Sequence, residues 1–277
     1  MSLRHRSCAY TLLLILGSGI VSGCGAAVRA EVSPITQGQC ANLSASHVMS
    51  DNAPVKCDRL RSVAFPYIDF DGQTHEGEVV VLDVLAPRVQ MIFTALYQKK
   101  FPLHQALTME HYQGDDEASM ADNNTSAFNA RPMTGASAWS MHAYGAAIDL
   151  NPRQNPYIAF GADGAATVLP PLAAKEAVNR LNYRPNKNFR PGMAEEVIDI
   201  FASNGFLQWG GYWNFPIDYQ HFEIGSSAYT QQLASASVTE AQRLFEQVIT
   251  DYASCMAEPG SVSHEAARAA CVSRVAR

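Results

Sequence analysis

The sequence predicts an α+β fold, in which helices pack on a small antiparallel sheet and a helical extension follows toward the carboxyl end. Residues 63–70 and 76–83 have the composition of strands and flank an Asp71-Gly72 turn, which is typical of an antiparallel hairpin. Helical patterns with start or stop signals follow this hairpin and return near the carboxyl end. Together these patterns indicate sheet and helices in one core.

The helices and loops after the hairpin follow in chain order. Pro87 lies just inside an amphipathic helix that is expected to run to about Lys100. Residues 115–124 are acidic and polar, which favours a solvated loop over the alternative of a calcium site. Residues 152–190 are rich in Pro, Asn and Gly, so we expect a long excursion of loops beside the candidate site.

The last third of the chain carries further helix signals. Residues 193–204 present an apolar helical face, and Gly205 offers a C-terminal stop. Ser237 and Glu240 have the spacing of a capping box, which predicts a helix to about residue 255 and a further helix around residue 271. These last two helices form the predicted extension.

Composition limits the classes of function. The chain has 277 residues, of which 47% are apolar, enough for one good core with terminal additions. Its net charge of −6 argues against binding to nucleic acid or docking on anionic polymers, since both need basic patches. We expect a monomer.

The beginning of the chain predicts export. Arg4 and Arg6 precede an apolar run over residues 10–21, which is too short to cross a bilayer and has the layout of a secretory signal. Val21-Ser-Gly-Cys24 resembles a bacterial lipobox, in which Cys24 is lipidated and tethers the protein to a membrane. Ordinary cleavage after residue 30 is the alternative.

The cysteine pattern agrees with export. Of the six cysteines, Cys8 leaves with the signal and Cys24 is assigned to the lipobox, so four remain in two local pairs. Cys40–Cys57 and Cys255–Cys271 are the simplest of three possible disulfide connectivities, and an oxidising compartment would preserve them.

Two short segments carry side chains of the kinds that hold and use a catalytic zinc ion. Residues 140–149 contain His142 and Asp149, and residues 218–223 contain His221. Hydrolytic zinc sites take three such ligands and leave one position open for water. Asp218, three residues before His221, is the candidate proton carrier.

Local geometry adds two expectations. In a strand over residues 219–225, Glu223 shares a face with His221, so its carboxylate could orient that imidazole. His142 and Asp149 have opposite strand parity, so a bend is needed to bring them to one ion, and Gly145 can form it cheaply. Ser140 is expected to bind substrate or to cap the turn before His142.

These segments resemble the VanY-type zinc D-Ala-D-Ala carboxypeptidases, dipeptidases and L-alanyl-D-glutamate endopeptidases, which act on bacterial cell-wall peptides. The Ser-x-His-x-x-Gly-x-Ala-x-Asp and Asp-x-x-His-Phe-Glu motifs are met without a gap. The resemblance covers roughly residues 60–225, including residues 123–131 and 209–213. It implies a VanY/hedgehog-type fold, one zinc ion on His142, Asp149 and His221, and Asp218 as general base.

The resemblance also assigns substrate-facing residues. Arg131 resembles the family arginine that polarises the scissile carbonyl. It lies eleven residues before His142, a shorter separation than in many relatives. A surface salt bridge is its alternative role. Trp209, Tyr212 and Trp213 are expected to line a peptide groove, with core packing as the alternative. Relatives often carry an acid where this chain has Tyr212.

The resulting prediction is zinc-dependent hydrolysis of peptidoglycan stem peptides, as a D,D-carboxypeptidase or an L-Ala-D-Glu endopeptidase in the bacterial envelope. The alternatives are a non-catalytic wall-binding module that keeps the zinc, and a zinc amidase that cuts the glycan-peptide bond. The predicted organisation is a lipoprotein signal (1–24), an N-terminal extension (25–58), a catalytic domain (59–226) and a helical extension (227–277).

Overall fold

The computed structural model describes residues 29–133, 137–258 and 262–277. It is an α+β protein built from small antiparallel sheets and helices, as the sequence predicts. The strands are β1 (Glu31–Pro34), β2 (Leu60–Ile68), β3 (Thr74–Leu82), β4 (Ala147–Asp149), β5 (Tyr157–Phe160), β6 (Ala166–Leu169), β7 (Gln208–Trp209), β8 (Ile217–Asp218) and β9 (His221–Glu223). The helices are α1 (Gln37–Ala45), α2 (Ala86–Lys99), α3 (Asp116–Ala121), α4 (Ala173–Glu176), α5 (Ile198–Ala202), α6 (Ser227–Ser235), α7 (Val238–Met256) and α8 (His264–Val275).

The strands form three sheets of three strands each, in the orders β1-β2-β3, β4-β9-β7 and β6-β5-β8. The predicted hairpin is the β2-β3 pair, which joins residues 60–68 to residues 74–82 in continuous register. Strand β1, which the sequence analysis did not predict, extends this sheet by pairing with β2. The antiparallel sheet type predicted from the sequence is confirmed, whereas the predicted single sheet is divided into three.

Aromatic stacking joins the helices to these sheets. Phe65 on β2 stacks on Phe93 of α2, with ring centroids 3.6 Å apart. Phe201 on α5 stacks on Phe222 of β9 at 3.9 Å, and all four rings are buried. Because Phe222 lies between His221 and Glu223 on a strand, its burial on one face directs those two side chains to the other.

The predicted helices near residues 87–100 and 238–255 are confirmed. Helix α2 has a proline in its first turn and ends at Lys99, after which Lys100 adopts the left-handed conformation. Helix α7 begins after Ser237, whose hydroxyl accepts a hydrogen bond from the Glu240 backbone N–H. The helix predicted over residues 193–204 is instead a 3₁₀ turn (Ala194–Glu196) followed by α5, because Val197 leaves the helical conformation with ψ of 3°.

Two loop predictions were wrong. Residues 115–124 contain helix α3, because the Asp115 side chain caps it by accepting a hydrogen bond from the Ala118 N–H at 3.0 Å. Residues 152–190 contain the β5-β6 hairpin and α4 between their loops. The predicted strand at residues 219–225 is shorter, since β9 covers only His221–Glu223.

Both predicted disulfides are confirmed. Cys40–Cys57 ties α1 to the start of β2, and Cys255–Cys271 ties α7 to α8, with Cα atoms 5.8 and 5.7 Å apart. Cys8 and Cys24, with the predicted signal and lipobox, lie outside the described residues. No helix in the described part of the chain is long and apolar enough to span a membrane.

Candidate metal centre

Two antiparallel strands and one 3₁₀ turn bring the predicted ligands together. Asp149 on β4 and His221 on β9 are direct cross-strand partners. His142 lies on the 3₁₀ turn Met141–Tyr144, which ends at Gly145 with φ of 63°. The bend predicted at Gly145 is therefore confirmed, and it places His142 against the strand pair.

The three side chains form a compact, buried cluster. His142 Nε2 lies 3.2 Å from His221 Nδ1 and 3.2 Å from Asp149 Oδ2, and His221 Nδ1 lies 3.1 Å from Asp149 Oδ1. This group could hold a metal ion, and each of its members is less than a tenth exposed. Two imidazole nitrogens and one carboxylate oxygen are a donor set that suits a divalent transition metal.

The nitrogen of each imidazole that faces away from the cluster has its own hydrogen-bond partner. His142 Nδ1 lies 2.6 Å from the carbonyl oxygen of Ala127. His221 Nε2 lies 3.0 Å from Glu223 Oε2, as the shared strand face predicted. Each acceptor favours a proton on the outer nitrogen, so the inner nitrogen of each ring, in its neutral form, offers a lone pair to a metal.

Electrostatics keep the Asp149 carboxylate ionised. Burial raises its pKa, but the neighbouring His142 and His221 more than compensate and lower it well below its usual value. Burial lowers the pKa of His221, yet its contacts with Asp149 and Glu223 outweigh this and raise it well above 6.5. Protons and metal ions therefore compete for His221.

Asp218 lies beside the cluster but on a different sheet. It is on β8, which pairs with β5 through Asp218 and Tyr157. Its side chain is buried, and Oδ1 has no hydrogen-bond partner among the described residues. Burial and, after it, the charge of Asp149 raise the pKa of Asp218 to about 8. A cation held by the cluster acts in the opposite direction.

A family model described as D-alanyl-D-alanine carboxypeptidase matches residues 134–224. The match covers about a third of the chain, so this segment is similar to D-alanyl-D-alanine carboxypeptidases. It contains His142, Asp149, Asp218 and His221, so the whole cluster and the neighbouring acid lie within the match. No curated protein and no solved structure matches the chain.

The family match and the disulfides are consistent with the same location for this protein. The matched segment is similar to D-alanyl-D-alanine carboxypeptidases, and disulfides persist in oxidising compartments. Both observations indicate an extracellular protein.

Arg131 precedes the matched segment and lines the same pocket as Asp218. The pocket has a volume of about 540 Å³ and contains both residues in its wall. Arg131 Nη2 donates to Asp116 Oδ2 at 2.5 Å, so the salt bridge that was the alternative role is present. Its Nε is buried and has no partner within the described residues, so one donor of the guanidinium remains available.

The other predicted substrate residues occupy different surroundings. Ser140 caps the 3₁₀ turn, since its Oγ accepts a hydrogen bond from the His142 N–H at 3.3 Å. Trp209 is buried in the core, and its indole N–H donates to the Tyr219 carbonyl at 2.8 Å. These contacts match the capping and core-packing alternatives.

Trp213 and Tyr212 lie nearer the surface of the matched segment. The Trp213 ring centroid is 5.4 Å from that of His221. Tyr212 is exposed, and its hydroxyl accepts a hydrogen bond at 2.9 Å from Arg268 of α8. A groove formed by these aromatic side chains stays a prediction.

Sequence reasoning missed two residues near the site. Asp116 pairs with Arg131, and Gln220 lies in the wall of the same pocket. Asp116 was assigned to a solvated loop, and Gln220 occupies an unspecified position of the Asp-x-x-His motif. Only the position of Gln220 between two predicted site residues could have drawn attention to it.

Proposed function

We propose that this protein hydrolyses peptide bonds in peptidoglycan stem peptides with a zinc ion held by His142, Asp149 and His221. The observation that carries the proposal is the buried His-Asp-His cluster with the buried carboxylate of Asp218 beside it, whose Oδ1 has no hydrogen-bond partner among the described residues. A non-catalytic wall-binding module would need the metal cluster but would not need Asp218 to transfer protons. The match to D-alanyl-D-alanine carboxypeptidases supports a peptide substrate.

The two imidazoles and the carboxylate suit zinc among the divalent ions, because zinc accepts mixed nitrogen and oxygen ligands in four-coordinate sites. Three protein ligands leave a position for substrate or water. When bound, zinc supplies Lewis acidity and makes water a stronger acid.

Asp218 is assigned the proton transfers. Its carboxylate accepts the proton of the attacking water and then donates it to the departing amine. Its unpartnered Oδ1 and its place in the pocket wall leave it free for these roles. Burial raises its affinity for a proton, which helps it to act as the acid in the second transfer.

Arg131 is assigned to the carbonyl oxygen. As the carbonyl becomes tetrahedral, negative charge develops on that oxygen, and a fixed guanidinium stabilises it. The Asp116 carboxylate holds one end of the guanidinium, and the unpartnered Nε–H supplies a donor. Asp116 therefore acts as the positioning partner of Arg131.

Two variants separate binding of the metal from turnover. We expect Asp218→Asn to retain zinc and lose most turnover, and His221→Ala to lose both. Zinc content is measured beside digestion of peptidoglycan, with products identified by mass spectrometry. Released D-alanine, a cut stem peptide or free glycan would identify the carboxypeptidase, the endopeptidase or the amidase. Full activity in Asp218→Asn would remove this residue from the mechanism.

We also propose that Cys24 carries a lipid that tethers the enzyme to a membrane facing the wall. The support is the lipobox-like sequence before Cys24 and the two disulfides of an exported chain. Cys24→Ser is expected to move the protein from the membrane fraction to the soluble fraction. An unchanged membrane fraction would refute the anchor.

A further inference from the structure

The pocket beside the metal cluster has a strongly acidic wall. Asp115, Asp116 and Glu117 from the start of α3 line it together with Asp218, and Arg131 is the basic residue among its lining side chains. Arg131 is paired with Asp116. No ion pair within the described residues neutralises Asp115 or Glu117, so the wall keeps an excess of negative charge.

Gln220 adds an unpartnered acceptor to this wall. Its side chain is only 3% exposed and lies in the pocket lining. The amide nitrogen lies 3.3 Å from the Met120 sulfur, to which it can donate a weak hydrogen bond. Oε1 is buried with no partner among the described residues. Burying a carbonyl oxygen without a hydrogen-bond donor costs free energy, so this atom indicates that a ligand supplies an N–H group here.

A metal ion does not fit this wall. Within the described residues, the only group of three metal-ligating side chains with converging donor atoms is His142, Asp149 and His221. The carboxylates of α3 therefore do not form such a group of three. An ammonium group carries its own hydrogen-bond donors and can use an amide oxygen as one of its acceptors, so two carboxylates and one amide are enough to bind it.

We propose that Gln220, together with Asp115 and Glu117, forms a subsite for a primary ammonium group of the substrate. An ammonium carries one positive charge and three donors and has no acceptor, which suits two carboxylates and one amide oxygen. The inference rests on the proposed function, because Asp218 lines the same pocket and a reacting peptide must therefore occupy it. The ammonium belongs either to a free α-amino end or to the side chain of a diamino acid.

The two parts of the subsite respond differently to salt. Asp115 and Glu117 are exposed, so their attraction for a cation is screened at high ionic strength. Gln220 is buried, and its hydrogen bond is a short-range contact that salt affects little. A preference for the ammonium that falls with salt but does not vanish is therefore expected.

The test uses the tripeptide L-Lys-D-Ala-D-Ala with free amines, with either amine acetylated, and with both acetylated. Binding is measured by calorimetry on the zinc-loaded Asp218→Asn variant, so that turnover does not interfere. Since hydrogen bonds to charged groups are strong, we expect a peptide with the recognised amine free to bind about tenfold or more tightly than the diacetyl peptide. The two singly acetylated peptides identify which amine is recognised.

Two further substitutions in that background test the residues. Gln220→Met and Glu117→Gln are each expected to reduce the preference several-fold, whereas Glu240→Gln on the exposed surface of α7 keeps it. Zinc content and thermal unfolding show whether each variant is intact. Equal binding of free and diacetyl peptides, binding of neither, or an unchanged preference in both variants overturns the subsite. Digestion of the same peptides by the wild-type enzyme tests the proposed function separately.

Discussion

Replacing Glu223 by Gln tests whether the residue behind His221 tunes the metal site. Glu223 Oε2 lies 3.0 Å from His221 Nε2, and the Glu223 side chain is only 15% exposed, so water screens the contact weakly. Glutamine keeps the volume and one acceptor oxygen but loses the charge. Removal of such a partner costs about 10- to 100-fold in metal affinity, or about 1.4–2.8 kcal/mol.

We expect the lower end of that range, about tenfold, because the amide oxygen of glutamine can still accept the imidazole proton. Affinity is measured by competition with a chromophoric chelator at neutral pH. Glu246→Gln is the matched control, since Glu246 pairs with Arg88 and takes no part in the metal cluster. An affinity equal to that of the wild type would show that Glu223 does not tune His221, and a loss as large as in His221→Ala would point to a collapsed site.

Three further outcomes follow from the same structure. Gly145→Ala would place a Cβ atom 2.7 Å from a backbone nitrogen at φ of 63°, so we expect the free energy of unfolding to fall by more than about 2 kcal/mol and metal binding to weaken. Gly72→Ala is the control, because its Cβ atom would lie in open space and should cost only about 1 kcal/mol. Equal thermal shifts in the two variants would contradict the steric argument. Replacing Cys255 and Cys271 by serine opens a loop with a sequence separation of 16 residues, so we expect the free energy of unfolding in urea titrations to fall by about 3 kcal/mol. An unchanged free energy of unfolding would show that other contacts alone hold α8 in place. Because the pKa of His221 is raised, protonated His221 stabilises the metal-free protein fully below pH 6.5, and this stabilisation is lost as pH rises through the raised pKa. A metal ion must displace that proton, so metal affinity should increase as pH rises above 6.5. A metal affinity that does not change with pH in chelator titrations would refute this coupling.

The metal cluster was predictable because its requirements are local. The residue types of the two motifs specify the donors, the glycine at 145 specifies the bend, and strand parity places Glu223 behind His221. None of these inferences needs the rest of the chain. The same holds for the hairpin of β2 and β3, whose turn and strands adjoin in sequence.

The pocket beside the cluster was not predictable because it depends on contacts between distant segments of the chain. Helix α3 has an acidic, polar sequence, and its formation depends on the Asp115 cap and on burial of Met120 against Gln220. Composition alone favours solvent for such a segment. The pairing of Arg131 with Asp116 likewise joins two segments whose relative position only the folded chain reveals.

The pairing of β8 with β5 places on separate sheets two residues that are only three positions apart in the Asp-x-x-His motif. His221 belongs to the sheet of β4, whereas Asp218, three positions earlier, is held by the hairpin of residues 157–169. Changes in that hairpin can therefore move Asp218, the proposed proton carrier, without moving the proposed metal ligands. If Asp218 has the proposed role, variation in the length and sequence of the hairpin would change reaction rate and substrate choice while metal affinity stays constant.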